Sequence, residues 1–145
     1  MTEQEFSDLC RAIAVELQLP ESESPEECGE FTVNGYRVGV FLDQESDLID
    51  CYVDLGLVDE VRKNEIFGRL LELNLQINGV HGESLGFDSE TGHLLMRAGM
   101  RTQFGIRAEE ISGLIHEYTA FADELNGSML AAVTSTNAGM LGGRA

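Results

Sequence analysis

Three runs of alternating apolar and polar residues follow one another between residues 31 and 55, and no other feature restricts the fold as tightly. Phe31 and Val33 lead into Asn34-Gly35, and Tyr36, Val38, Val40 and Leu42 share one face of the return run. After a polar loop at residues 43–47, Ile49, Cys51, Val53 and Leu55 alternate with Leu48, Asp50, Tyr52 and Asp54. A period of two marks a strand with one covered face. Asn-Gly supplies the left-handed backbone that two-residue hairpin turns need. A parallel connection takes a dozen residues or more, so these joints allow only an antiparallel meander.

The flanking segments switch to helical spacing. Phe6, Leu9, Cys10, Ile13 and Leu17 line one face of a helix over residues 2–17, opened by the capping-box pair Thr2 and Glu5 and ended by Pro20. A second helix runs from Asp59 to Asn78, with Gly79 as its stop. A second hairpin pairs Leu85 and Phe87 with Leu94, Met96, Ala98 and Met100 across Ser89-Glu90-Thr91-Gly92. A last helix over residues 108–125 presents Ile111, Leu114, Ile115, Tyr118, Ala122 and Leu125. The order α-β-β-β-α-β-β-α predicts an α+β domain, a twisted antiparallel sheet flanked by helices. One domain is expected over residues 1–126. Residues 127–145 carry no charge before Arg144 and are expected to form a flexible tail.

The middle helix is apolar over more of its girth than one sheet can cover. Ile66, Phe67, Leu70, Leu71, Leu73, Leu75 and Ile77 spread over roughly 200°, against the 100–120° of a helix packed on a single surface. Arg62, Glu65, Arg69, Glu72 and Gln76 form the remaining polar strip. A second subunit across a two-fold axis covers such a helix most simply, and the last helix or the tail is the alternative. Asn74 lies near the centre of the arc. A buried amide needs partners, and these are either across a subunit interface or on the backbone of the same chain.

Charge then removes whole classes of function. The chain has 26 Asp+Glu against 9 Lys+Arg, a net charge of −17, and Lys63 is its one lysine. Nucleic acid and anionic membranes both require a cationic face. No run approaches the length of a membrane span, and the acidic start is not expected to act as a signal peptide. A cytoplasmic location is expected. With 43% hydrophobic residues the chain is not a disordered one.

No constellation of residues suggests catalysis. Cys10 and Cys51 fall on apolar faces, and Cys28 sits among Glu26, Glu27 and Glu30, which raise a thiol's pKa. His81, His93 and His116 are scattered. The acidic loop beginning at Asp43 has Leu48 and Asp54 where a calcium loop needs Gly and Glu. No phosphate-binding glycine motif is present. No catalytic residue, metal or cofactor is expected, and the chain reads as a protein that binds other polypeptides.

One stretch resembles a known family. It runs Leu70-Leu71-Glu72-Leu73-Asn74, then Glu83-Ser84-Leu85-Gly86-Phe87-Asp88, then Gly92-His93-Leu94-Leu95-Met96. With the element order, small size and acidity, it is similar to the class I type III secretion chaperones, the Tir chaperone family. The resemblance implies a bacterial cytoplasmic homodimer, a virulence-associated chaperone without enzymatic activity. Its partner would be the N-terminal segment of a secreted effector, kept soluble and competent for export, with the secretion apparatus as a further partner. It implies a dimer interface at Ile66, Phe67, Leu70, Leu71, Asn74 and Leu75. It implies effector contacts at Ile13, Leu17, Leu19, Phe31, Val33 and Val38. Two other readings fit the same residues: a housekeeping binding module of this fold, and an acidic inhibitor of a cationic partner.

Overall fold

The computed structural model describes residues 1–20, 29–77 and 79–127. Cys28, Asn78 and the expected tail beyond residue 127 lie outside the described residues.

Helix α1 (Glu3–Glu16) begins where the capping box placed it. The Thr2 hydroxyl accepts from the Glu5 N–H, and the Glu5 carboxylate accepts from the Thr2 N–H. Strands β1 (Glu30–Val33), β2 (Tyr36–Asp43) and β3 (Leu48–Leu57) form the meander. Asn34 and Gly35 both take positive φ, as the tight hairpin turn requires. Asp43 builds the next turn by accepting the N–H groups of Glu45 and Ser46 and the Ser46 hydroxyl. Helix α2 (Lys63–Gln76) starts later than its periodicity suggests. A 3₁₀ turn over Glu60–Arg62, capped by the Asp59 carboxylate on the Val61 N–H, precedes it. Strands β4 (Ser84–Asp88) and β5 (His93–Arg101) make the second hairpin, and α3 (Ala108–Gly127) follows.

The five strands form one antiparallel sheet in the order β1-β2-β3-β5-β4. The second hairpin therefore docks on the meander through β5, with Leu48 opposite Arg101 and Val53 opposite Met96. One face of the sheet is covered. Phe31, Val33, Val38, Val40, Ile49, Cys51, Val53, Leu85, Leu94, Met96, Ala98 and Met100 join residues of all three helices in a single core. The opposite face carries Arg37, Phe41, Asp50, Tyr52, Asp54, Leu95 and Arg97, all partly or largely exposed.

One irregularity matters for the surface. The register between β3 and β5 shifts between Asp54 and Gly56, whose φ is +116°. Strict alternation would send Leu57 into the core with Leu55. The extra residue reverses the order, so Leu57 pairs with His93 and stands exposed.

Candidate functional site

Helix α2 buries only part of its apolar girth. Ile66 and Leu70 are buried, and Phe67 is half-buried with its ring centroid 4.9 Å from that of Phe87. The Lys63 ammonium lies 5.0 Å from the centre of the Phe87 ring, a cation–π contact that holds the start of the helix on β4. Asn74 bonds within its own chain. Its amide donates to the Leu85 carbonyl at 2.8 Å, and its side-chain carbonyl accepts from the Leu85 N–H at 2.7 Å. Of the six residues expected at a subunit interface, Leu71 and Leu75 thus stand free, at 70% and 90% exposure.

The uncovered face lies to one side of the expected one. Val61, Asn64, Gly68, Leu71 and Leu75 are all exposed and follow the three-and-four spacing of a helix-pairing stripe. Gly68 sits at its middle. A Cβ built there meets nothing within 4 Å. An exposed glycine inside a helix costs about 1 kcal/mol relative to alanine, and among the described residues no contact recovers it. Helix α3 packs instead against α1, β1 and β3. Among the described residues nothing covers the stripe.

The positions expected to touch an effector fall mostly inside. Ile13, Leu17, Phe31, Val33 and Val38 are buried in the core, and Leu19 is half-buried against it. In the single chain these five are not available surface. Alternation identifies which residues share a face, but it does not say which face the helices cover.

The open face of the sheet supplies accessible chemistry in their place. Phe41 and Tyr52 meet edge to face at 5.9 Å, and the Arg97 guanidinium lies 5.8 Å from the Tyr52 ring. Arg97 donates to Asp50 at 3.1 Å, and His93 Nδ1 lies 2.8 Å from the Asp54 carboxylate. A shallow hollow of about 600 Å³ is lined by Arg37, Gly39, Phe41, Tyr52, His93 and Leu95, among others. The Phe41 ring lies over Gly39, so a Cβ there would come within 2.5 Å of it and displace the ring. The surface alternates ring faces with paired charges, which suits an extended polypeptide better than a compact ligand.

The edges of the sheet differ. At β1, the pairs next to a two-residue turn are hydrogen-bonded ones, so Val33 and Phe31 bond toward β2, and Gly29 continues the series by accepting the Val40 N–H. The backbone groups of Glu30 and Thr32 point outward, and no described residue bonds to them. At β4, Leu85 points outward and its two groups are held by Asn74.

Chemically reactive groups are dispersed. Burial pushes the Cys10 thiol up to about 11 and the Cys51 thiol up to about 12, so neither is a nucleophile at neutral pH. Among the described residues no group of three His, Cys, Asp or Glu comes together as a metal site. Among them, too, no helix is long and apolar enough to cross a membrane.

Comparison with known proteins adds family and fold. A family model, the Tir chaperone protein (CesT) family, matches residues 9–105. No curated protein matches the chain. A chain in the crystal structure of the ExsC–ExsE complex is similar at a TM-score of 0.66 with 16% identity, over 87% of this chain and 94% of that one. A chain in the ExoT–SpcS complex from Pseudomonas aeruginosa is similar at a TM-score of 0.57 with 18% identity, over 85% of this chain and 98% of that one. At such identities the structural likeness speaks to fold alone.

Proposed function

The chain belongs to the Tir chaperone protein (CesT) family, and from that premise we propose that it is a type III secretion chaperone. In this reading it is a cytoplasmic homodimer that binds the N-terminal segment of a secreted effector and keeps it extended, soluble and competent for export. It acts by binding and performs no bond chemistry.

The observation that carries the proposal is the surface left open around one complete core. The exposed stripe of α2 is the face offered to a second copy. The uncovered sheet face, with Phe41, Tyr52 and Arg97, is the face offered to the effector. A segment that folds only on binding pays its ordering entropy at that step, so it needs a broad surface rather than a pocket. Both solved structures described above are complexes, which fits a protein that works with a partner chain.

Light scattering of the purified protein should give twice the chain mass of 15.9 kDa. Isolation from the native host, followed by mass spectrometry, should recover the N-terminal region of a larger secreted protein. A monomer at all concentrations removes the pairing, and repeated isolation with no secreted partner removes the chaperone role.

A further inference from the structure

A groove runs along α3, beside the residues that the helix sends into the core. Two hollows of about 1010 and 320 Å³ compose it, and Leu114 and Glu117 line both. Its other wall is the connection between α2 and β4. Ile77, Leu114 and Phe121 are half-buried toward the end of α3. Ile106 is half-buried toward its start, where Val80 stands 92% exposed. Glu109, Glu110 and Glu117 line the groove on the helix side. Together the hollows exceed the volume usual for a small-molecule site, about 300–1,000 Å³. From Glu109 to Phe121 the helix rises about 18 Å, which about six extended residues span. Those proportions suit a length of polypeptide.

The chain itself supplies a length of matching chemistry. Residues 128–145 include Met129, Leu130, Val133, Met140 and Leu141, and their one charge is Arg144, in a chain where 24% of residues are charged. Such a segment has almost no ionic group to desolvate on entering an apolar groove. Arg144 is opposite in sign to the three glutamates on the helix side. The segment also starts in the right place: α3 ends at Gly127, six residues and about 9 Å beyond Phe121. Eighteen residues exceed what a reversal of direction and the groove together require. A second copy, by contrast, would bring its own charge of −17 against those glutamates. We propose that the groove is the docking site of residues 128–145 of the same chain, folded back along α3 so that their apolar side chains cover Leu114, Phe121, Ile106 and Val80. The chain thereby shields one of its own apolar surfaces. This inference goes beyond the chaperone reading and does not rest on it.

The test is nuclear magnetic resonance of the full chain, with folding followed by circular dichroism. Methyl groups of Leu130 or Leu141 should show Overhauser contacts to those of Leu114 or Ile106. Amides of residues 129–141 should exchange roughly tenfold more slowly than in an unstructured chain, as a locally opening segment does. Three substitutions then separate docking from any general change of fold. Val80→Glu and Gly113→Glu each place a charge in the groove at an exposed position, and a Cβ at Gly113 meets nothing within 4 Å. Leu141→Asp places one in the segment. Each should return the amides of residues 129–141 to unstructured exchange and abolish the contacts, with the circular dichroism unchanged. Unstructured exchange in the unsubstituted protein overturns the proposal. So do contacts from the segment to Leu71 and Leu75 instead, which would make it the cover of the α2 stripe. Contacts seen only between labelled and unlabelled copies in a mixed sample also overturn it, since the occupant would then be a second copy's segment. None of these outcomes requires a client, so failure here and failure of the chaperone role are separable.

Discussion

At the scale of single residues, hydrogen bonds to carboxylates decide several local outcomes. Burial alone would raise the Glu83 carboxyl. Bonds from the Tyr118 hydroxyl and from the backbone N–H groups of Glu83 and His81 outweigh that and hold it below its ordinary value. A carboxylate lowered in this way stabilises the fold above its unfolded pKa and ceases to do so as the pH falls through the folded one. Tyr118→Phe should cost about 1 kcal/mol at pH 7, a modest value because Glu83 remains partly solvated. Urea denaturation at pH 7 and near pH 3 should show that difference shrinking in acid. Some of these residues were legible in sequence and some were not. Thr2 and Glu5 declare their capping box by spacing. Asn74 announces only that it needs partners, and its choice of Leu85 depends on where β4 comes to lie.

At the scale of elements, the sequence reading succeeds where periodicity is local. All three helices and all five strands stand where their spacing put them, and the late start of α2 reflects a 3₁₀ turn that shares helical spacing. It fails where coverage is decided at a distance. The wide apolar arc of α2 was visible, but the rotation that buries Ile66 and Leu70 and exposes Leu71 and Leu75 follows from docking on β4. Leu57 shows the same limit, since a bulge reverses the face that alternation assigns; Gly56 was its one signal. Gly68 gives the element-scale prediction. Gly68→Ala should stabilise the single chain by about 1 kcal/mol, since the added methyl meets nothing. If two α2 helices cross at this residue, the same methyl separates them. Denaturation at low concentration should then show gain while light scattering shows weaker pairing. Pairing unchanged by the substitution would move the crossing point elsewhere on the stripe.

At the scale of the whole molecule, the charge and the open surface belong together. A chain of −17 repels its own copies. Those copies carry an uncovered sheet face and an exposed helix stripe, so repulsion limits non-productive association. The second virial coefficient from light scattering should fall as salt rises from about 10 to about 500 mM, where the Debye length drops to a few ångströms. A coefficient indifferent to salt would detach the charge from this role. The strand order β1-β2-β3-β5-β4 has a separate consequence, in the timing of folding. Strand β3 lies between a neighbour made just before it and one made only after α2 and β4. On the ribosome, Ile49, Cys51 and Val53 must wait for residues 93–101, which at ordinary elongation rates takes roughly two to ten seconds. For that interval the growing chain presents an unfinished sheet whose apolar face has only α1 to cover it, a state open to aggregation. Docking of β5 completes the sheet, and α3, made last, then closes the core with Ile111, Ile115, Tyr118, Ala122 and Leu125.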